Sequence, residues 1–297
     1  MNMHSTSWLG VAESALRAAP PTALLSTART LLADNANARC VDLLLADYGL
    51  TVLQPVTQLP STGVATEVRE GGAAGRAFTA EAPVVEVTDE PGMVVVHLPV
   101  TVRGDRLGIL SVRLPEQATQ GASGVLELAA FATALGHELI VAERDTDLYV
   151  QARRRRRLTL AAEMQWQLLP GRGFSRDEFT LGAHLEPAYA VGGDNFDWTV
   201  TDNSLTITVT DGQGHGIQAA LLTNLAVNAL RNARRAGISL VDQAFLADQA
   251  VYGEYGGRLS APTLLLCIDL GTGLSPFREV AATAMAAKTS IIFRTQH

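Results

Sequence analysis

A helical apolar pattern between two strand-rich regions constrains the fold of this chain more than any other feature. Seven residues follow one another at intervals of three or four positions: Leu128, Phe131, Leu135, Leu139, Ala142, Thr146 and Tyr149. This spacing predicts one apolar face on a long helix over residues 124–168, ended by Pro170. The chain has 297 residues, a length that favours two domains. The pattern therefore predicts an α+β chain in which a helical linker joins two domains.

The region before this helix is predicted to form a first domain over residues 20–118. Apolar residues at helical spacing indicate a surface helix at residues 23–32. Two hairpins follow, one around the turn at residues 47–49 and the other around residues 103–105. A helix followed by antiparallel hairpins predicts an α+β domain.

The charge balance argues against a general nucleic-acid binder. The chain has 23 basic and 30 acidic residues and a net charge of −7, whereas phosphate contacts need clustered Lys and Arg. The five arginines at residues 153–157 could form a nucleic-acid or membrane patch. Since no aromatic residues interleave with them, we favour a solvated segment of the helical linker.

Cysteine usage and the absence of a targeting signal point to the cytoplasm. Cys40 and Cys267 stand far apart in apolar stretches, so we expect two buried thiols in a reducing compartment. Core packing is favoured over covalent cofactor attachment for Cys40. The N-terminus lacks the basic and apolar regions of a signal peptide, and no run approaches the roughly 20 apolar residues that span a bilayer.

Two glycine- and aspartate-rich motifs carry the chemistry. AVGGDNFDW at 190–198 and TDGQGHG at 210–216 stand at the two ends of a predicted hairpin, whose turn lies at residues 202–204. Antiparallel pairing should therefore return Asp211 close to Asp194. Two carboxylates and a nearby backbone carbonyl are hard oxygen ligands that suit Mg²⁺ or Mn²⁺ better than a soft metal.

These motifs resemble those of a known phosphatase family. GGDNFD, then DGQGHG 17 positions later, then the helix QAALLTNLAVNALRNARRAG, are similar to the SpoIIE-type (RsbU-like) branch of the PPM, or protein phosphatase 2C-like, superfamily. The resemblance covers about residues 158–272, and LAAEMQWQLLP is similar to the family's entry segment. The first region, with AGRAF and HLPVTVRGDRLGILSV, is similar to a GAF domain.

The resemblance implies an architecture. It implies a GAF-like antiparallel sheet with helices over 20–118, a long linker helix over 124–168, and a PPM-type αββα sandwich over 172–297. The last domain is expected to be C-terminally incomplete, because the sequence after IDLGTG contains no Asp. With its apolar seam exposed on a linker, the helix is expected to form a parallel homodimer through Leu128, Leu135, Leu139 and Ala142.

The resemblance also implies an activity and its residues. The family uses a binuclear Mn²⁺ or Mg²⁺ centre to hydrolyse phosphoserine or phosphothreonine, here on a STAS-type anti-sigma-factor antagonist and under control of the GAF domain with an unknown small ligand. Asp194, Asp211 and Gly212 match the metal-binding positions. His215 either donates to a leaving oxygen or braces the loop, and bracing is favoured. Asp197 is expected to be structural.

Two other functions stay open at this point. The aspartates that the family supplies from its C-terminal part have no match here, which favours little turnover or a non-catalytic sensor or scaffold that binds a phosphoprotein. DGQGHG and TNLAVNALRNA are also similar to the glycine and asparagine boxes of histidine-kinase-like ATPases. In those ATPases the asparagine helix precedes the glycine box, whereas here it follows.

Overall fold

The chain forms two compact units in a computed structural model, Met1–Arg156 and Arg157–His297. The structure describes residues 8–56, 66–68, 72–120, 124–185, 192–270, 278–280 and 289–295. Both units combine helices with antiparallel sheets, which confirms the predicted α+β class.

The first unit is built on a six-stranded antiparallel sheet in the order β3-β2-β1-β6-β5-β4. Its strands are β1 Cys40–Ala46, β2 Val52–Pro55, β3 Thr66–Glu67, β4 Val84–Val87, β5 Met93–Val102 and β6 Asp105–Pro115. Its helices are α1 Trp8–Ala18, α2 Leu24–Ala36, α3 Ala73–Ala80, α4 Gly124–Ala142 and α5 Leu148–Ala152.

The structure contains both hairpins predicted for this unit, and local chemistry explains their turns. Between β1 and β2, the buried Asp47 carboxylate accepts hydrogen bonds from the backbone N–H groups of Thr51 (2.7 Å) and Val52 (3.0 Å). Between β5 and β6, Arg103 and Gly104 both have positive φ angles, 52° and 90°, as tight hairpin turns require.

The apolar seam of α4 lies in the core of the first unit and not on an exposed linker. Leu128, Leu135, Leu139 and Ala142 are at most 3% exposed and belong to the cluster that fills one face of the sheet. A Cβ at Gly136 would stand 3.1 Å from Val100 and Val102 of β5, so helix and strand approach closely. The sheet buries this seam, which is therefore not available for the predicted homodimer.

The predicted helix over 124–168 is divided into three helices. α4 ends at Ala142, and Thr146 accepts a hydrogen bond at its Oγ1 from the Leu148 backbone N–H, 3.3 Å away. Such local side-chain bonds compete with helical ones and favour a new start, here that of α5. The third helix, α6 Leu160–Leu168, belongs to the second unit.

Of the helices that the structure describes, α4 is also the one with the length and apolar composition of a membrane span, with a mean hydropathy of 1.6. The sequence analysis expected no such run. The core helix of a soluble protein meets the same criteria, and α4 packs one face on the sheet of its own unit.

Two further expectations for this unit need correction. Cys40 is exposed at the start of β1, not buried, and Cys267 of the second unit is half-buried. The arginine run is not helical, because α5 ends at Ala152. Arg155, Arg156 and Arg157 are exposed as expected, whereas the Arg153 side chain is 13% exposed and packs into its own unit. The Arg153 guanidinium lies 3.5 Å from the Glu143 carboxylate and 5.6 Å from the ring centre of Tyr48.

Tyr149 predicts how the stability of the chain depends on alkaline pH. Its side chain is fully buried, its hydroxyl donates to the Pro21 carbonyl oxygen at 2.7 Å, and burial raises its pKa to about 12. In the unfolded chain the phenol ionises near pH 10, so the unfolded state loses its proton first. The free energy of unfolding should fall by about 1.4 kcal/mol per pH unit between pH 10 and 12.

Urea unfolding at pH 8, 10 and 11 measures this dependence. Tyr149→Phe should remove the contribution of this tyrosine and so make the dependence shallower, because Phe has no proton to lose. Tyr252→Phe, at an exposed tyrosine, is the matched control and should keep it. An unchanged pH dependence in Tyr149→Phe would contradict the assignment.

The second unit contains two antiparallel sheets. One has the order β12-β11-β10-β9 and the other β13-β8-β7. The strands are β7 Gly173–Ser175, β8 Phe179–Leu185, β9 Gly193–Val200, β10 Ser204–Gly212, β11 Thr263–Asp269, β12 Arg278–Val280 and β13 Thr289–Thr295. Besides α6, its helices are α7 Gly216–Arg235 and α8 Leu240–Tyr255. The sequence analysis did not predict α1 or α8.

The β9–β10 hairpin has two different faces. On one face, Leu205 and Ile207 of β10 pack against Phe179 and Leu181 of β8, so the two sheets stack on each other. On the other face, α6 and α7 cover the hairpin. The described residues of the second unit thus form three successive layers, helices, sheet and sheet, and the hairpin lies in the middle layer.

Candidate functional site

The register of the β9–β10 hairpin brings the two candidate metal ligands together. Asp194 pairs directly with Asp211, and Gly193 pairs with Gly212. Directly opposite residues of an antiparallel pair present their side chains on the same face, with Cβ atoms about 5 Å apart. The predicted return of Asp211 to Asp194 is confirmed.

Both carboxylates lie on the face of the hairpin that meets the second sheet. Residues alternate between faces along a strand, so Asp194 shares its face with Phe196, and Asp211 shares its face with Ile207. Asp194 is 8% exposed and Asp211 is half-buried. The pair therefore lies where the apolar layer between the sheets ends and solvent access begins.

Two glycines allow the strands to approach closely at this end of the hairpin. A Cβ at Gly193 would stand 1.8 Å from the carbonyl oxygen of Gly212, and a Cβ at Gly212 would stand 2.2 Å from Oγ1 of Thr223. Neither position has room for a side chain. The GGD and DG parts of the two motifs thus have a steric cause, independent of any ligand.

Two polar side chains hold the backbone on either side of Asp194. Gln165 of α6 donates from Nε2 to the carbonyl oxygen of Asp194 at 3.2 Å. Thr223 of α7 donates to the carbonyl oxygen of Gly193 at 2.6 Å. Both side chains are fully buried. They fix the strand that carries Asp194, and sequence reasoning had assigned them no role.

A sequence signal for Gln165 did exist. It stands in an apolar helical stripe of the entry segment with Ala161, Ala162 and Leu168, which are also buried. A polar residue inside such a stripe needs a hydrogen-bond partner in the core. Thr223 offers no comparable signal, because threonine is common on helices that pack against sheets.

The glycine-rich loop after Asp211 turns the chain into α7. Gly214 and Gly216 have φ angles of 101° and 64°, which disfavour residues with a side chain. Gln213 fixes the loop, since its N–H donates to the Ser260 carbonyl and its Oε1 accepts from the Ser260 N–H. His215 is exposed, and its side chain makes no capping hydrogen bond to α7. The favoured bracing role therefore lacks this contact.

Asp197 connects the sheet to α7. Its carboxylate, 4% exposed, lies 2.7 Å from the guanidinium of Arg231 and 3.1 Å from that of Arg234. Arg231 also donates to the Leu168 carbonyl at the end of α6. These contacts agree with the structural role predicted for Asp197. Asp197 connects a strand to helices, however, and does not cap a loop.

The donor set fits one divalent cation better than two. The two carboxylates offer the hard oxygens that Mg²⁺ and Mn²⁺ prefer. Within the described ranges, no group of three or more His, Cys, Asp or Glu residues is arranged to hold a metal. A cation between Asp194 and Asp211 would therefore complete its coordination mainly with water.

Comparison with known proteins supports the predicted family. Residues 201–277, which include Asp211, match the family described as stage II sporulation protein E (SpoIIE). A search of curated proteins finds no significant match. This part of the second unit is thus similar to a SpoIIE-type phosphatase domain, as the sequence motifs indicated.

Solved structures that are similar to this chain include two GAF domains and one PP2C phosphatase domain. The GAF domain of a phosphoenolpyruvate-protein phosphotransferase from Acinetobacter is 15% identical, over 49% of this chain and 98% of that chain, with a TM-score of 0.40. A GAF domain of such a protein from Coxiella burnetii is 18% identical, with a TM-score of 0.39. The similarity covers 46% of this chain and 94% of that domain's chain. A third structure contains the PP2C phosphatase domain of SpoIIE from Bacillus subtilis with a fragment of its regulatory domain. It is 9% identical, with a TM-score of 0.28, and the similarity covers 100% of this chain and 80% of that chain.

Proposed function

We propose that this chain is a cytoplasmic regulatory protein whose second unit is a metal-dependent phosphatase domain. Its substrate is a phosphoserine or phosphothreonine on a STAS-type anti-sigma-factor antagonist, and a small ligand of the GAF-like first unit controls it. The observation that carries this proposal is the cross-strand pairing of Asp194 with Asp211 inside a hairpin that leads into a segment of the SpoIIE type.

The paired carboxylates provide hard oxygen ligands of the kind that divalent cations prefer. Two like charges at this separation repel each other, and partial burial between two sheets strengthens that repulsion. A bound Mn²⁺ or Mg²⁺ would weaken this repulsion, and the chemistry it would supply is the activation of water for attack on a phosphoryl group. Asp194 and Asp211 would hold the ion, and the carbonyl oxygen of Gly212 would be the third candidate ligand.

The surrounding residues keep the two carboxylates in position. Gln165 and Thr223 fix the backbone of β9 from the helical layer, while the close contact of Gly193 with Gly212 sets the distance between the strands. A site held by three contacts in this way favours one geometry of its ligands, which a catalytic centre requires.

A non-catalytic scaffold is the second candidate. The observation that favours it is the lack, among the described residues, of a third acidic or histidine side chain near the pair. With one weakly held cation, the domain would bind a phosphoprotein through the cation without hydrolysing it.

We expect weak, saturable binding of one Mn²⁺ at millimolar concentration, because water must replace the protein ligands that a tight site has. Asp211→Asn should abolish this binding by removing one of the two charges. Asp202→Asn, in the exposed turn of the same hairpin, is the matched control and should leave it unchanged. Isothermal titration calorimetry of the full chain makes the measurement.

Hydrolysis distinguishes the two candidates. Manganese-dependent release of phosphate from a phosphoserine peptide, lost in Asp211→Asn, supports the phosphatase. Metal binding without phosphate release supports the scaffold. Equal Mn²⁺ binding by Asp211→Asn and by the unmodified chain would contradict both, and tight binding of two ions would contradict the single-ion site.

A further inference from the structure

Helix α8 presents an apolar surface that the described residues of its own unit leave exposed. Only Gln243 and Ala247 of its 16 residues are buried. Val241, Phe245 and Tyr252 are 61%, 58% and 65% exposed. Single exposed apolar residues are ordinary, but three large ones on one helix face form a contiguous patch of the kind that binds a partner.

These residues form a seam with the spacing of a coiled coil. Val241, Phe245, Asp248, Tyr252 and Tyr255 follow one another at intervals of four, three, four and three residues. That spacing keeps side chains on one narrow face of a helix, where a second helix can pack against them. We call this face the α8 seam. It points away from Gln243 and Ala247, the side chains that α8 buries.

A groove lies along the α8 seam. It has a volume of about 530 Å³ and separates α8 from the segment at residues 257–263. Phe245, Asp248 and Tyr252 form one side of the groove, and Leu230 and Leu265 lie at its apolar base. A docking helix could therefore insert side chains beside the seam as well as pack on top of it.

The charge of α8 decides which helix fits. Asp248 stands at the centre of the seam, Asp242 and Glu254 lie elsewhere on the helix, and α8 contains no Lys or Arg. A docking helix would desolvate Asp248, and a buried carboxylate without a cationic partner is costly. The docking helix therefore needs a basic residue opposite Asp248.

The same residue disfavours a second copy of this chain. Asp248 is the middle of the five seam positions, so two copies packed in register would place it against itself. An antiparallel pair centred on the seam gives the same contact. In either case two like charges would be buried together, and such a contact acts against the pairing.

We propose that the α8 seam and its groove are the docking site for an amphipathic helix of another protein. That helix carries apolar residues at alternating intervals of three and four, with a Lys or Arg at the centre of its apolar stripe. The proposal is independent of the phosphatase activity, because it uses none of the residues of the Asp194–Asp211 site.

Two designed peptides test this recognition on the full chain. Both have about 18 residues, long enough for a helix, with Leu at the seam positions and identical outer faces. One has Arg at the central position and the other has Glu. Titration of each fluorescein-labelled peptide with the protein, followed by fluorescence anisotropy, should give about tenfold tighter binding of the Arg peptide.

Two charge-reversal variants locate the site. Asp248→Arg should invert the preference, so that the Glu peptide binds more tightly. Glu254→Arg makes the same charge change on the same helix away from the seam and should keep the preference for the Arg peptide. Circular dichroism of both variants should show the helix content of the unmodified chain.

Three results would overturn the proposal. The first is binding of neither peptide. The second is a preference for Arg that Asp248→Arg leaves unchanged, since binding would then occur elsewhere. The third is a dimer in sedimentation that Phe245→Asp dissociates, because a second copy would then occupy the seam.

Discussion

Replacement of Gly193 by alanine should destabilise the second unit by about 3 kcal/mol or more, as overpacking at a rigid position does. The new Cβ would stand 1.8 Å from the Gly212 carbonyl oxygen and 2.4 Å from its carbonyl carbon. Both are backbone atoms, so no flexible side chain can move aside. The hydrogen bond from Thr223 to the Gly193 carbonyl further restricts movement of β9.

Gly182→Ala is the matched control for this substitution. Gly182 also lies within a strand of the second unit, β8, but a Cβ there has no atom within 4 Å. Urea unfolding should therefore give a much lower midpoint for Gly193→Ala and a nearly unchanged one for Gly182→Ala. Equal midpoints would mean that the two strands are not as close at Gly193 as described.

Replacement of Asp197 by alanine should also cost about 3 kcal/mol, the usual cost of breaking a buried ion pair. The substitution leaves the guanidinium groups of Arg231 and Arg234, each with a side chain 18% exposed, without their shared carboxylate. It also frees the α7 arginine that connects to the end of α6. We expect the loss of stability to appear as a lower urea midpoint.

An exposed ion pair of the same unit supplies the control. The Arg176 guanidinium lies 3.0 Å from the Glu178 carboxylate, with both side chains accessible to water. Because exposed pairs contribute little, Glu178→Ala should barely change the unfolding midpoint. A comparable loss of stability in both variants would show that burial is not the reason why the Asp197 network stabilises the fold.

Local patterns identified the hairpins and the site well. The β9–β10 turn and the alternation of its strands are contained within about twenty residues, so the pairing of Asp194 with Asp211 follows from neighbouring sequence. The same holds for α7, which was predicted from residue 218 and begins at Gly216. Gln165 reaches Asp194 from 29 residues away, and no local pattern gives that pairing.

The sequence by itself determined which faces had to be covered. The α4 seam and the alternation of apolar residues along the strands both indicate which side chains are buried. Such periodicity depends only on the geometry of a single helix or strand, so it can be recognised in the sequence. It also determined the glycines and carboxylates of the candidate site, which the turn between β9 and β10 brings together.

Only the tertiary structure decided what covers each face. The α4 seam packs on the sheet of its own unit, where the sequence predicted a second copy. Asp197 finds its partners 34 and 37 residues away on α7, and α8 keeps its outer seam exposed. The physical reason is that the hydrophobic effect is non-directional: periodicity requires burial, whereas the partner depends on how elements distant in sequence pack together.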